Sequence, residues 1–244
     1  MRNIGIVGIP PRAVIKELVS EGAVIYDLDE PLMRVDIEAT APFIPKVYCA
    51  ILRTVLVNAM YLALDAIYID IGRGKCDGAL HVATILSDML SIPVIRTENQ
   101  DRERLGNPAC FSGLSLLEKF QRITAGVKSP DPADDPPPCQ PTAGFWGVPP
   151  RDFSILALFP PTTHIYGWTR CMENKTPADQ ALEAYFNPSI PTVFFAQSFC
   201  AKTALARHLA GKHPRALCLD IDITAGASAK AKIQAFLELS GVSP

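Results

Sequence analysis

A run of prolines constrains this chain more than any other feature. Between Ser129 and Thr142 the sequence reads SPDPADDPPPCQPT, with Pro130, Pro132, Pro136, Pro137, Pro138 and Pro141 in fourteen residues. Proline lacks an amide hydrogen and locks φ, so this stretch forms neither a helix interior nor a central strand and reads as an extended linker. It divides the 244 residues into segments 1–128 and 143–244, each the size of a small domain.

The two segments share an order of motifs. The first contains Gly8-Ile9-Pro10-Pro11-Arg12 and the second Gly147-Val148-Pro149-Pro150-Arg151. A hydrophobic pair follows in each, Ile25-Tyr26 and Ile165-Tyr166. An apolar run then ends near a cysteine, AIYIDIGRGKC at Cys76 and TVFFAQSFC at Cys200. After each cysteine come a helical pattern, a further apolar run and an amphipathic helix. Short β-branched runs alternating with helical stretches predict βαβ units and parallel sheets. The expected fold is therefore α/β, two pseudo-repeated Rossmann-like halves with parallel sheets joined by the Pro-rich linker. Strands are expected at Ile4–Gly8, Val24–Leu28, Ala66–Ile71, Ile92–Thr97, Thr163–Trp168, Val193–Gln197 and Leu217–Ile221. Propensity allows a strand at Phe153–Phe159, but the repeat aligns it with the helical pattern PRAVIKELVSEG and favours a helix.

Charge and hydropathy narrow the function classes. Lys and Arg number 23 against 25 Asp and Glu, scattered rather than in blocks, so no phosphate-binding face for nucleic acid is expected. The most apolar stretch, Val47–Ala66, is interrupted by Arg53 and Asn58, which argues against a bilayer span. The opening MRNIGIVGIPPR has no signal-peptide pattern, so a cytoplasmic location is expected. Seven cysteines at low density in a reducing compartment do not make a disulfide framework.

The cysteines instead fall where α/β proteins build sites, outside the carboxyl ends of strands. Cys76 and Cys200 each follow an apolar strand and precede a helix, where the helix dipole and unpaired amides favour a thiolate. Cys49 opens the apolar helix CAILRTVLVNAMYLAL, and Cys171 follows Gly167-Trp168-Thr169-Arg170. Thiolates so placed suit a soft metal or an iron–sulfur cluster, and without a CxxC pair a zinc ribbon is not indicated. Cys218, between Leu217 and Leu219, reads as a buried hydrophobe in a central strand. Arg12 and Arg151 in the paired turns are candidates for bidentate contact with an anion. Asp222, at a strand's carboxyl end, is a weak substrate-site candidate, and Asp65 and Asp70 read as solvent-facing strand caps.

Three segments resemble the 2-hydroxyacyl-CoA dehydratase family, which includes the benzoyl-CoA reductase subunits. They are VYCAILRTVLVNA with Cys49 and Arg53, DAIYIDIGRGKCDGALHVATILSDMLSIPVI with Cys76-Asp77-Gly78, and the stretch from FFAQSFC at Cys200 through Asp222 to Ala235-Phe236-Leu237-Glu238. The resemblance implies two Rossmann-like domains holding one [4Fe–4S] cluster through Cys49, Cys76 and Cys200. It also implies an acyl-CoA substrate whose thioester carbonyl meets an open iron, and a second subunit of the same family. An ATP-dependent activator would supply a low-potential electron, giving a ketyl radical that eliminates water or reduces a ring. This chain is shorter than family subunits and has Lys232 where the family usually has Arg. Two other readings stay open: a non-catalytic α/β binding or accessory module, and an electron carrier in which Cys171 completes four-thiolate ligation.

Overall fold

A computed structural model describes residues 1–33, 35–72, 75–101, 108–130, 136–167 and 183–242. The first part of the chain builds β1 (Asn3–Val7), α1 (Arg12–Ser20), β2 (Val24–Asp27), α2 (Ala50–Tyr61), β3 (Ala66–Asp70), α3 (Asp77–Met89), β4 (Val94–Thr97) and α4 (Leu116–Lys128). The rest builds β5 (Ala143–Gly147), β6 (Thr163–Tyr166), β7 (Thr192–Gln197), α5 (Lys202–Lys212), β8 (Ala216–Ile221) and α6 (Ala227–Leu239). The strands form two four-stranded sheets, in the orders β2-β1-β3-β4 and β6-β5-β7-β8, and every strand pair is parallel. This is an α/β architecture consistent with a Rossmann-like fold. Among the described residues no helix is long and apolar enough to cross a membrane.

Alternation along the strands feeds a core on each face of each sheet, as parallel sheets require. In the first sheet, Ile67 and Ile69 pack with α2 and α3, while Ile4, Ile6 and Ala66 pack with Ile15 and Leu18 of α1. In the second, Phe145, Val193 and Phe195 face Ile233 and Leu237 of α6, while Trp146, Phe194 and Ala196 face Ala206 and Leu209 of α5.

Two helices lie where the sheets meet. Helix α2 is buried on most of its circumference, including Arg53 and Asn58, and its Ile51 reaches the second sheet's core. Helix α4 starts from a capping box between Ser115 and Glu118. Its Leu116, Phe120 and Ile123 pack into the second core, and Val127 into the first. Its Lys119 is completely buried and donates to the carbonyls of Pro161 (2.9 Å) and Thr163 (2.5 Å).

Six of the expected strands occur within a residue or two of their expected ends, and the seventh, at Thr163–Trp168, is present as Thr163–Tyr166, with Trp168 outside the described residues. The Phe153–Leu158 segment is a 3-10 helix, the helical alternative. Strand β5 was missing from the expectation. Its sequence AGFWG carries two glycines and directly follows the proline run, which masks the strand signal, yet it is buried along its whole length. Its end requires glycine: Gly147 has φ 137°, and a Cβ there would stand 2.0 Å from the Phe195 carbonyl oxygen. Two further expectations need correction. Cys218 is exposed: β8 is an edge strand, paired on one side only in the described sheet. Asp70 is buried rather than solvent-facing; it accepts from the amides of Gly72 (3.2 Å) and Asn99 (2.9 Å) and pairs with Lys75 (2.9 Å).

Candidate functional site

The carboxyl ends of β3 and β7 deliver Cys76 and Cys200, and the loop before α2 delivers Cys49. Cys49 and Cys76 are the N-cap residues of α2 and α3, so each sulfur lies at the positive end of a helix. Cys200 sits in the tight turn between β7 and α5, where its amide donates to the Gln197 carbonyl at 3.0 Å. The turn is strained: Phe199, immediately before it, has φ 65°, the left-handed region that a bulky side chain avoids, and is 51% exposed.

The first-sheet Cys49 and the second-sheet Cys200 meet. The two thiols lie near enough for each to shift the other's ionisation. Interaction with Cys200, opposed by burial and reinforced by the Leu52 and Ile51 amides and the Arg151 charge, pulls the Cys49 thiol down to about 6. The same interaction pushes Cys200 up, and burial and the Cys49 charge push in the same direction. Cys76 is more exposed and lies alongside: its charge raises Cys200 further. Tyr48 borders the group. A Cβ on Gly78 would stand 3.4 Å from both the Cys76 Sγ and the Tyr48 Oη, and burial together with the Cys76 and Cys49 charges raises the phenol.

Two arginines bracket the sulfurs. Arg151 is buried, and its guanidinium donates to the Pro149 carbonyl (3.4 Å) and, across to the first half, to the Asp29 carbonyl. Arg53, one helical turn after Cys49, donates its amide to the Cys49 carbonyl (3.0 Å). Its side chain stands between Glu38 (3.6 Å) and Asp222 (3.9 Å). Arg12 opens α1 well away in sequence from these, with its amide donating to the Asp101 carboxylate at 2.8 Å. Cys171 lies outside the described residues.

The sequence assigns Arg53 no role beyond its place in the resembling segment, excludes Lys75 as a Walker lysine because no Ser or Thr follows it, and leaves Gln197 unmarked. A charged residue within a largely apolar helix is the available signal for Arg53, since such a helix is buried on most of its faces. Gln197 and Lys75 carried no signal beyond proximity to a cysteine.

Among the described residues no three His, Cys, Asp or Glu side chains converge closely enough to hold a single metal ion. A cubane asks for something different: each thiolate takes its own iron, so the sulfurs stand around the cluster rather than around one point. Three cysteines entering from three element ends, two at helix N-termini and beside a buried cation, fit that donor set in chemistry. The sequence matches no protein-family model and no curated protein.

Proposed function

We propose that this chain is an iron–sulfur protein of the 2-hydroxyacyl-CoA dehydratase/benzoyl-CoA reductase type, delivering a low-potential electron to a CoA-thioester substrate. In this reading Cys49, Cys76 and Cys200 hold a [4Fe–4S] cluster between two α/β halves. The observation that carries it is that Cys49 and Cys200, thiols borne by different halves of the chain, lie near enough to shift each other's ionisation, with Cys76 near enough to act on Cys200. The cluster supplies one-electron chemistry when bound. The chain's own residues supply thiolates at helix starts and a buried Arg151 whose charge favours the anionic form of Cys49.

The common strand order of the two sheets supports reading them as repeats. The GxPPR turns support it too, since both follow the first strand of their sheets. The proline run would then be the connection between repeats. A second subunit of the same family and an ATP-dependent activator are the partners this reading asks for.

Anaerobic reconstitution with iron and sulfide tests the proposal. About four irons and four sulfides per chain are expected, with loss of the cluster spectrum in Cys49→Ser, Cys76→Ser and Cys200→Ser. A colourless, iron-free protein would overturn it and leave an accessory α/β module. Loss of the spectrum in Cys171→Ser as well would favour the four-thiolate electron carrier.

A further inference from the structure

Three titratable side chains from three elements gather apart from the Cys49, Cys76 and Cys200 group. Cys139 lies at the end of the proline run, His164 is the second residue of β6, and Lys119 stands in the first turn of α4. His164 and Lys119 are buried, while Cys139 is part-exposed between the exposed Pro138 and Gln140. Cys139 also anchors the proline run. Pro138 and Ser112 form an antiparallel bridge, the Cys139 amide donates to the Phe111 carbonyl (2.9 Å), and the Cys139 thiol donates to the Ser112 carbonyl (3.1 Å).

The His164 Nε2 stands 3.0 Å from the Cys139 carbonyl oxygen and 3.6 Å from its sulfur. A carbonyl only accepts, so Nε2 carries the proton, and the sulfur lies within reach of the same N–H. Phe111 packs edge-on against the imidazole, with the ring centroids 5.2 Å apart. Lys119, held by the Pro161 and Thr163 carbonyls, is near enough for a charge on Cys139 to act on its amine. An N–H donor and an ammonium beside a sulfur favour its anionic, attacking form, and part exposure admits a reagent. The bond to Ser112 lasts only while the sulfur keeps its proton, because a sulfur joined to another has none to donate.

We propose that Cys139 is a modification site for small-molecule disulfides of the glutathione class, and that taking up such a group frees the end of the proline run from Ser112. The Cys139 sulfur gives its proton to solvent and attacks one sulfur of oxidised glutathione. A mixed disulfide forms, the disulfide bond of the reagent breaks, and the second glutathione leaves as a thiolate that takes up a proton. Cys139 is thereby oxidised and the departing sulfur reduced. The His164 N–H donates to the Cys139 sulfur while that sulfur is anionic. The site is independent of the proposed cluster, to which it contributes no ligand.

Incubation of the full chain with excess oxidised glutathione, followed by peptide mapping without reductant, tests this. The rate of adduct formation at Cys139 is compared with that at the more exposed Cys218. Each rate is divided by its own value in urea, which removes the influence of sequence neighbours. Cys139 is expected to react about threefold faster or more, whereas access alone would put Cys218 ahead. His164→Phe keeps a ring against Phe111 without the N–H and should bring the ratio to one or below. Hydrogen exchange at the Cys139 amide should quicken about tenfold in the adduct, as its bond to Phe111 opens. A Cys139 rate at or below that of Cys218 in the unsubstituted chain would overturn the site, whether or not His164→Phe folds. A ratio unmoved by His164→Phe would overturn the part given to the imidazole, and unchanged exchange in the adduct would overturn the release.

Discussion

The guanidinium of Arg151, in the loop after β5, donates to the main-chain carbonyl of Asp29, at the end of β2 in the other sheet. The contact is buried and ties the second half to the first through a loop end, which is where the thiols gather. Asp29 is itself fixed, its amide donating to Asp27 (3.1 Å) and its carboxylate accepting from Gly8 (2.8 Å). Removing the guanidinium leaves the Asp29 and Pro149 carbonyls short of a charged donor. Arg151→Met is expected to lower stability by about 2–3 kcal/mol, read as a shifted urea midpoint, and Arg151→Lys by less because it keeps one donor and the charge. A midpoint unchanged in Arg151→Met would mean that the contact contributes nothing to holding the halves.

The closeness of Cys49 and Cys200 has a redox consequence in iron-free protein. A thiolate next to a thiol is the arrangement from which a disulfide forms by exchange. With oxidised glutathione, the Cys49 thiolate attacks one sulfur and releases glutathione; Cys200, once deprotonated, displaces the second glutathione and closes the bond. Non-reducing peptide mapping should find Cys49 linked to Cys200. Exposed Cys218, far along an edge strand, should carry only mixed disulfide. Separate glutathione adducts on Cys49 and Cys200 would show that the two sulfurs do not meet in solution.

Periodicity made the sheets legible. The runs IGIV, AIYID and TVFFAQ are apolar on both faces, which only a covered parallel strand tolerates, and they became β1, β3 and β7. Helix termini were legible through the same logic, and with them the helix-start positions of Cys49 and Cys76. What stayed hidden depended on neighbours distant in sequence. Asp70 looks like a surface cap until Asn99 and Lys75 fold over it. Cys218 has hydrophobic neighbours, but among the described residues no strand pairs with the outer side of β8. The packing of α4 against the second sheet follows from Phe120 meeting Phe145 at 5.6 Å, a pairing that nothing local to either residue announces.

Lys119 offers a pH-dependent test of that α4 packing. Burial drives its amine down to about 8, although it is bound to the Pro161 and Thr163 carbonyls. In the unfolded chain the amine keeps its proton to about 10.4. Between these values the unfolded state binds more protons than the folded one, so stability rises with pH across this window. The gain attributable to Lys119 reaches up to about 3 kcal/mol at the alkaline end. It should appear as the difference between the unfolding free energies of the unsubstituted chain and Lys119→Met, measured from pH 7.5 to 10. A pH-independent difference would place the amine in solvent. Lys119→Met should also be less stable at every pH, because two carbonyls lose their donor.

Phe199 is held at φ 65° with half of its surface exposed, so its ring gains little from packing to offset the backbone strain. The left-handed region costs a residue with a Cβ about 1–2 kcal/mol. Glycine removes that cost and returns part of it through the greater entropy of the unfolded chain, about 0.4–1 kcal/mol. Phe199→Gly is therefore expected to stabilise the protein by about 0.5–1 kcal/mol, while Phe199→Ala keeps the Cβ and should leave stability nearly unchanged. Thermal unfolding of the two variants against the unsubstituted chain distinguishes the outcomes. A rise in Phe199→Gly alone assigns the strain to the turn that presents Cys200. An equal rise in both would assign the effect to the exposed ring, and equal losses would show that the ring packs against the rim of the thiol site.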